Sequence, residues 1–347
     1  MRRVLAVVAA AAMVVGSLAL RSRLDRSSTE RSQVLRLTCA TELAPACTTL
    51  AHGDARINLT VEAAGTTADR LATSEANPGL DGWLATAPWP DIVDQERRAH
   101  SLEPLFTPAK ATLARSPLVV AVWKDRAAVL GSHCPGGVQW RCLGEAAGTA
   151  GGWAALGGRP EWGAVKVGHA TPASDGVGLA VLGQAVASWF GRPDVSTGDL
   201  DDENFKTWFG GLERSVAPSP GSPLETMLAT GRAAFDAVGT VEAEAGPLLA
   251  RAARGKDVDL LYPSPMATAD AVLATPTGDT AGSTASLRGL VTGSTGRKAL
   301  AGAGWRVDGQ ARPPGVPDSP PLPAGANLPS PGLLDALRAR WHEVTGK

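Results

Sequence analysis

The chain has 347 residues, of which 44% are hydrophobic and 19% are charged, and its formal net charge at pH 7 is −1. This length gives room for two domains of ordinary size, each with a substantial core. Because the body of the chain has no cluster of Lys and Arg, nucleic acid is excluded as an expected partner.

The N-terminal segment, residues 1–20, has the pattern of an export signal. Two arginines precede an uncharged apolar run, and the small residues Ser17 and Ala19 suit a cleavage site. The alternative is an uncleaved anchor, in which case this segment lies in the membrane. Residues 21–33 are predicted to be a linker. Either alternative places the body outside the cytoplasm, secreted or anchored to the cell membrane.

The four cysteines form two local pairs along the chain. An even number of cysteines in an exported chain predicts disulfides. Zinc is the competing interpretation, but neither pair has the close C-x-x-C spacing of zinc sites. We therefore predict no metal and no cofactor. The predicted disulfides join Cys39 to Cys47 and Cys134 to Cys142.

Strands alternate with helices in the first third of the chain. This alternation predicts a parallel α/β sheet, and open sheets of this type bind ligands at the carboxyl ends of their strands. Thr41, Thr66 and Thr67 follow the first two strands and would lie at that edge. The predicted strands are 34–38, 57–63, 82–85 and 118–123, with helices at 41–52 and ending near 70–73.

Residues 164–191 predict a strand, a tight loop and a helix. The strand covers 164–169, and apolar residues recur at helical spacing after Ser174. Ser174 is the predicted N-cap, and Gly176 allows another group to approach the backbone closely. The free amides and the dipole at such a helix start favour an acceptor-rich or negatively charged group. The alternative is an ordinary capped helix of an α/β protein.

The remaining chain predicts further helices and strands, followed by an unusual C-terminal segment. Residues 311–331 are rich in proline and have no core of their own. Residues 332–347 predict an amphipathic helix, which either docks back onto the body or is presented to a partner protein. The predicted elements are helices at 194–209, from 224 and at 281–304, strands at 234–241 and 258–262, and a terminal apolar stripe of Leu333, Leu334, Leu337 and Trp341.

Several stretches occur in an order that resembles a known family. They are VLRLTCATELAPACTTLA, VEAAGTTADRLA, DGWLATAPWPD, SPLVVAVW, VGHATPASDGVGLAVL, FDAVGTVEAEA and LLYPSP, within residues 34–310. Together they resemble the extracellular solute-binding proteins of ABC transporters. The resemblance is to the type 2, molybdate/sulfate-like group and its high-GC Gram-positive relatives that are associated with von Willebrand factor A-type domains.

This resemblance implies an α/β, two-lobed type 2 periplasmic-binding-protein-like fold that encloses a ligand between its lobes. A hinge of two crossover strands, near 115–117 and 240–244, would join them. Lobe 1 would contain residues 34–114 and 245–310, and lobe 2 residues 115–244. The ligand-binding residues that the resemblance implies are Thr41, Thr66, Thr67, Trp89, Ser174, Asp175, Gly176, Thr240 and Tyr262, with Trp83 as a further aromatic position.

Three carboxylates lie beside these proposed donors. They are Glu42, Asp175 and Glu242, and no Lys or Arg is evident among them in the sequence. Because carboxylates repel an anion at short range, molybdate, sulfate or phosphate is not the expected ligand. The carboxylates would instead face solvent, cap helix N-termini, or hold a cationic or polyhydroxylated ligand with Trp83 or Trp89 stacked on it. Core packing is the alternative role of the tryptophans.

The sequence therefore predicts a non-catalytic solute-binding protein that closes on a small ligand of unknown class by hinge motion. One alternative is a ligand-free adaptor for a membrane protein, such as one with a von Willebrand factor A-type domain. A weaker alternative is an envelope hydrolase that uses Ser174. That serine lacks the glycine of a nucleophile elbow, and His169 is better explained as a structural histidine.

Overall fold

The computed structural model of the chain describes residues 33–74, 79–106, 112–216, 221–278, 282–309, 315–316, 319–323 and 328–346. The predicted export segment and all but the last residue of the predicted linker lie outside the described residues. So do parts of the proline-rich segment. None of the helices within the described ranges is long and apolar enough to cross a membrane.

Eight described strands form a curled mixed sheet with the spatial order β2-β1-β3-β8-β4-β6-β5, and β7 also pairs with β4. β1 runs parallel to β2 and β3, and β5 runs parallel to β6, whereas all pairs that involve β4 or β8 are antiparallel. The sheet is therefore mixed. The prediction of a parallel sheet, made from the alternation of strands and helices, holds only for the pairs of β1 with β2 and β3 and of β5 with β6. The strands are β1 (Leu35–Ala40), β2 (Ile57–Glu62), β3 (Gly82–Thr86), β4 (Thr112–Trp123), β5 (Val167–Gly168), β6 (Ala237–Val241), β7 (Val258–Leu261) and β8 (Thr268–Ala274).

The long strand β4 divides this sheet into two parts. Residues 112–117 pair with β8, and residues 118–123 pair with β6 and β7. The first part of the sheet therefore contains β2, β1, β3, β8 and the beginning of β4. The second part contains the end of β4 with β5, β6 and β7. The predicted first crossover at 115–117 coincides with the point at which β4 changes partners.

The second crossover lies further along the chain than we predicted. β6 ends at Val241, and Glu242 begins a helix whose first turn is held by a hydrogen bond from the Ala243 amide to Ser116 Oγ at 2.9 Å. β7 still pairs with the second part of the sheet, so the chain returns to β8 through residues 262–267. The prediction of a crossover strand at 240–244 is wrong because the acidic, alanine-rich residues there form a helix.

Thirteen α-helices within the described ranges cover the sheet. The predicted helix at 41–52 begins as a short 3₁₀ turn, and the predicted pair at 281–304 is present over its described residues. The helices are α1 (Ala44–Gly53), α2 (Ala64–Ala72), α3 (Trp89–Ala99), α4 (Lys124–His133), α5 (Trp140–Gly148), α6 (Gly152–Ala155), α7 (Gly176–Phe190), α8 (Glu203–Arg214), α9 (Pro223–Thr230), α10 (Glu242–Arg251), α11 (Ser283–Thr292), α12 (Ser294–Gly302) and α13 (Pro331–Thr345).

The helix α7 lies at the centre of the packing. Its residues are nearly all apolar or small, and residues 176–188 are buried, which explains why it packs between α5, α13 and strands of both parts of the sheet. The left-handed conformation of Gly191, with φ +67°, ends the helix. Both predicted disulfides are present, with Cα–Cα distances of 6.5 Å for Cys39–Cys47 and 5.7 Å for Cys134–Cys142.

Candidate functional site

The N-terminus of α7 lies against the loops that follow β1, β2 and β3. A Cβ added to Gly176 would overlap Thr86 Oγ1 and Glu42 Oε1, and it would lie 3.2 Å from Trp89 Nε1. The Gly65 amide donates to the Ser174 carbonyl at 2.9 Å. The two parts of the sheet therefore meet here through direct contacts, and we call this region the junction.

Asp175 is the N-cap of α7, and our assignment of Ser174 to that position was wrong. One carboxylate oxygen of Asp175 accepts from the Gly178 amide at 2.8 Å. Ser174 belongs to the preceding turn, in which its amide donates to the Thr171 carbonyl at 3.1 Å. Serine and aspartate are equally good N-caps, so the sequence alone could not locate the helix start to the residue.

Two carboxylates of the junction face each other across the two parts of the sheet. Glu42 accepts a hydrogen bond from Thr86 Oγ1 at 2.7 Å. Burial and then the charge of Asp175 raise the pKa of Glu42 to about 8. Burial also raises the pKa of Asp175, against the lowering effect of the Gly178 and Val177 amides and of His169.

A third carboxylate, Glu244, adds to this charge and was missed by the sequence analysis. Thr240 Oγ1 donates to Glu244 Oε2. Burial raises the pKa of Glu244, and the charge of Asp175 contributes in the same direction. No described Lys or Arg side chain forms an ion pair with Glu42, Asp175 or Glu244. Among the described residues, these three acidic groups at or near the junction therefore have no Lys or Arg partner.

Glu242 has a different environment. Arg306 donates to both of its carboxylate oxygens, with Nε–Oε1 at 2.7 Å and Nη2–Oε2 at 2.5 Å. The Tyr262 hydroxyl donates to Oε2 at 2.7 Å, and burial followed by this hydrogen bond raises the pKa of Tyr262. Our expectation that no arginine lies among the carboxylates is wrong for Glu242. Its partner Arg306 is 64 residues away in the chain, so the sequence around Glu242 gives no sign of it.

The predicted threonines do not form one set of donors. Thr41 is exposed and lies 3.5 Å from Glu42 Oε2, and Thr66 is exposed beside Ser174 in a surface cavity of about 590 Å³. Thr67 is buried and donates to Glu62 Oε2 at 2.6 Å. Thr86 and Gly65, which the prediction did not include, are closer to α7.

The two predicted tryptophans are both fully buried, so neither presents a free ring face for stacking. Trp83 packs against Phe106 with ring centroids 5.9 Å apart, which is the core role left open above. Trp89 has the Arg338 guanidinium 5.4 Å from its ring centroid, and its Nε1 has no hydrogen-bond partner within the described part of the chain. This nitrogen lies near the start of α7, 3.2 Å from the position of a Cβ built on Gly176.

His169 is occupied by structural hydrogen bonds. Its Nδ1 lies 2.8 Å from the Ala170 carbonyl and its Nε2 lies 3.1 Å from Glu213 Oε1. Burial alone would lower the pKa of His169, but the charge and hydrogen bond of Glu213 raise it overall. Both ring nitrogens are engaged, so this histidine is not placed to activate Ser174 as a general base.

These elements match an established family. Residues 35–306 match the family model for bacterial extracellular solute-binding proteins, which covers most of the chain. The protein therefore belongs to this family, and the resemblance of the sequence to extracellular solute-binding proteins is confirmed. Membership implies a small-molecule ligand and a location outside the cytoplasm.

Solved structures of periplasmic binding proteins share the fold. A periplasmic thiamin binding protein is 13% identical with a TM-score of 0.61, and the alignment covers 90% of this chain and 96% of that one. Iron-bound HitA from Pseudomonas aeruginosa is 15% identical with a TM-score of 0.59, covering 90% and 99%. The sulfate-binding protein SubI from Mycobacterium tuberculosis H37Rv is 17% identical with a TM-score of 0.52, covering 87% and 96%. These similarities confirm the two-lobed α/β fold. A search of curated proteins found no match.

Proposed function

We propose that the protein is a non-catalytic binding protein that closes its two lobes on a small organic cation at the junction. In this proposal, lobe 1 comprises residues 33–116 and 267–309, built on the first part of the sheet. Lobe 2 comprises residues 117–262, built on the second part. The hinge consists of β4 near Ser116 and the return segment 262–267, which connect the two parts.

The observation that supports this ligand class is the uncompensated charge at the junction. Glu42 from lobe 1 and Asp175 and Glu244 from lobe 2 are half-buried and have no Lys or Arg partner among the described residues. A buried carboxylate is costly unless a cation or several donors compensate it. A protonated amine supplies both the positive charge and the N–H donors that these oxygens accept.

The same geometry argues against an oxyanion. The N-terminus of a helix binds anions through its free amides, but at α7 the Asp175 carboxylate already accepts from the Gly178 amide. A sulfate or phosphate placed there would face this carboxylate and Glu42 at short range. We infer that the N-terminus of α7, which the sequence suggested as an anion site, is occupied by the Asp175 carboxylate.

The buried indole of Trp89 completes the proposed site. Its Nε1 is a donor without a described acceptor, and it lies 3.2 Å from the position of a Cβ built on Gly176. A cation that also has a hydroxyl or carbonyl oxygen would satisfy both the carboxylates and this donor. Among the structural neighbours, those named for thiamin and iron carry positively charged cargo and the one named for sulfate carries an anion. The fold thus admits both charges, and the local side chains decide between them.

A panel of melting temperatures tests the proposed ligand class. Wild-type protein would be heated with choline, ethanolamine, spermidine, Mg²⁺, glucose, sulfate or phosphate, because a ligand that binds the folded state raises the melting temperature. We expect increases with one or more of the organic cations and none with sulfate or phosphate. Glu42→Gln should abolish the increase, whereas Glu145→Gln, at an exposed glutamate paired with Arg141, should keep it. An increase with sulfate alone would contradict the ligand class.

A ligand-free adaptor is the second candidate, and the tightness of the junction favours it. Gly176 contacts Thr86 and Glu42 directly, and the Gly65–Ser174 hydrogen bond joins the lobes without an intervening molecule. If every compound in the panel leaves the melting temperature unchanged, the adaptor becomes the better proposal. Whether residues 1–20 are cleaved or remain as an anchor is decided by the mass of the protein recovered from its native cell.

A further inference from the structure

The C-terminal helix α13 spans the two lobes. It packs against α3 of lobe 1 and against α7 and α8 of lobe 2, and its four stripe residues are buried. Ser330 caps its start, with Oγ accepting from the Leu333 amide at 3.3 Å. The helix lies outside residues 35–306, so it is an addition to the part of the chain that matches the family.

Arg338 attaches this helix to lobe 1. Its guanidinium lies 2.5 Å from Glu96 Oε1 and 3.4 Å from Asp69 Oδ1, and it covers the ring of Trp89. The Arg338 side chain is only 15% exposed and that of Glu96 is 23% exposed. A charge-assisted pair that is largely shielded from water contributes more than an exposed surface pair.

Trp341, three residues after Arg338, attaches the same helix to lobe 2. Its Nε1 donates to Glu213 Oε2 at 2.8 Å, and the other oxygen of Glu213 lies 3.1 Å from His169 Nε2. His169 begins the loop that leads to Asp175. The helix also lies directly on the backbone of α7, since a Cβ on Gly183 would be 2.6 Å from Leu334 Cδ2.

Between these two attachments, the helix lines a cavity that residues of the junction also line. The cavity of about 590 Å³ has Gly65 and Thr66 on one wall and Ser174 on another. Arg338 and His342 of α13 line the same cavity. Any separation of the lobes at Gly65 and Ser174 therefore moves apart the two surfaces to which α13 is bound.

We propose that α13 is an intramolecular latch that binds lobe 1 through Arg338 and lobe 2 through Trp341 and so holds the two lobes closed. The helix must detach from one lobe before the junction opens. Because the latch is part of the same chain, its effective concentration is high and modest contacts suffice to shift the population toward the closed state. The proposal uses the lobe division given above but does not depend on the ligand class.

The Gly65 amide is a direct reporter of lobe separation. Its hydrogen bond to the Ser174 carbonyl joins the two lobes, so its hydrogen exchange requires them to move apart. Exchange would be measured on the full-length protein without any added ligand. The amide of Val238 in β6, which lies in the core of lobe 2, serves as an internal control for global unfolding.

Three single substitutions test the latch. We expect Arg338→Gln and Trp341→Phe each to accelerate exchange at Gly65 by about tenfold while Val238 stays protected. Arg338→Lys, which keeps the charge, should restore part of the protection. Arg340→Gln is the matched control, because Arg340 pairs with Asp201 of lobe 2, which is 73% exposed, and with Glu343 of α13 itself. It should change Gly65 exchange by less than about twofold.

If Gly65 exchange is unchanged in both Arg338→Gln and Trp341→Phe, the latch is overturned, whether or not the amides of α13 exchange faster. Equal acceleration by Arg340→Gln would also overturn it, since the ion-pair partners of that arginine are exposed and its loss should not detach α13 from either lobe. No outcome depends on a ligand, so the failure of this proposal is distinguishable from the failure of the proposed function.

Discussion

Glu242 and Glu42 are both acidic side chains that immediately follow or adjoin a strand end, but only Glu242 has a positively charged partner. Arg306 and Tyr262 together give three donors to the Glu242 carboxylate. Glu42 receives hydroxyl donors and faces a second acid, Asp175. The comparison separates a carboxylate that is part of the architecture from one whose charge the fold leaves uncompensated.

This difference is informative because buried charge without a partner destabilises a fold. Groups with strongly perturbed pKa values that have no structural role are concentrated at functional sites. At Glu242 the arginine supplies the compensation within the chain. At the junction we propose that the ligand supplies it.

The largest expected effect is the loss of the Glu242 partner. Arg306→Met leaves a fully buried carboxylate unpaired, and we expect it to lower the free energy of unfolding by about 3–5 kcal/mol. Urea denaturation at pH 7 measures the change. Arg251→Met, which removes an exposed arginine paired with Glu225, is the control and should cost less than about 0.5 kcal/mol. If Arg306→Met lowers the free energy of unfolding no more than Arg251→Met does, the conclusion that Arg306 compensates the buried Glu242 carboxylate is contradicted.

Glu42 should make the protein less stable as the pH rises. Its pKa is about 8 in the folded protein and 4.5 in the unfolded chain, so between these values the folded state binds more protons. Stability due to this group is complete below pH 4.5 and is lost as the pH rises to 8, by roughly 2–4 kcal/mol. Urea denaturation of wild type and Glu42→Gln from pH 5 to pH 8.5 measures the difference.

The comparison with Glu42→Gln isolates this residue from its charged neighbours. Asp175, Glu244 and His169 also titrate near the junction and remain in both proteins. We expect the variant to become relatively more stable as the pH rises. Parallel pH profiles for the two proteins would show that Glu42 is ionised in the folded state without cost, and the contrast with Glu242 would fail.

A smaller effect is expected at the start of α7. Asp175→Ala removes the N-cap acceptor of the Gly178 amide and should cost about 1 kcal/mol at pH 5. Asp175→Asn keeps a capping oxygen and should cost less, while it removes the charge that faces Glu42. Thermal unfolding at pH 5 measures both. Equal losses in the two variants would indicate that the carboxylate charge, and not the cap, stabilises this helix.

The smallest effect is expected one residue earlier. Ser174→Ala should change the free energy of unfolding by less than about 0.5 kcal/mol, because the contacts of Ser174 at the junction are made by its backbone. The same thermal unfolding experiment tests it. A loss as large as that of Asp175→Ala would return the capping role to the serine.

Much of the fold could be predicted from the sequence, because the strands before α7 are short apolar runs and the segments between them have the periodicity of helices. The family stretches also occur in order along the chain. The strand β8 was missed because its sequence, TADAVLA, has Asp270 in the middle and no sustained β-branched pattern. The second crossover was misplaced because we expected the chain to stay extended through 240–244. The strand at 237–241 ends there, and the acidic residues directly after it begin a helix.

The site could be predicted only in part. Ser174, Asp175 and Gly176 do meet the loops after the first three strands, which follows from where strands and helix starts lie in such sheets. The Glu242–Arg306 pair could not be predicted, since it joins residues that are distant in the chain. The buried orientation of Trp89 and the turn of Thr67 toward Glu62 depend on side-chain packing that strand and helix periodicity do not specify.

The central claim is that a cation compensates the junction carboxylates, and the most direct test is the number of protons released on binding. The organic cation that most raises the melting temperature would be titrated calorimetrically at pH 7 in two buffers of different ionisation enthalpy. Because Glu42 has a pKa of about 8 without ligand, cation binding should ionise it and release protons, and Glu42→Gln should release fewer. Proton uptake, or release that is unchanged in Glu42→Gln, would contradict the account.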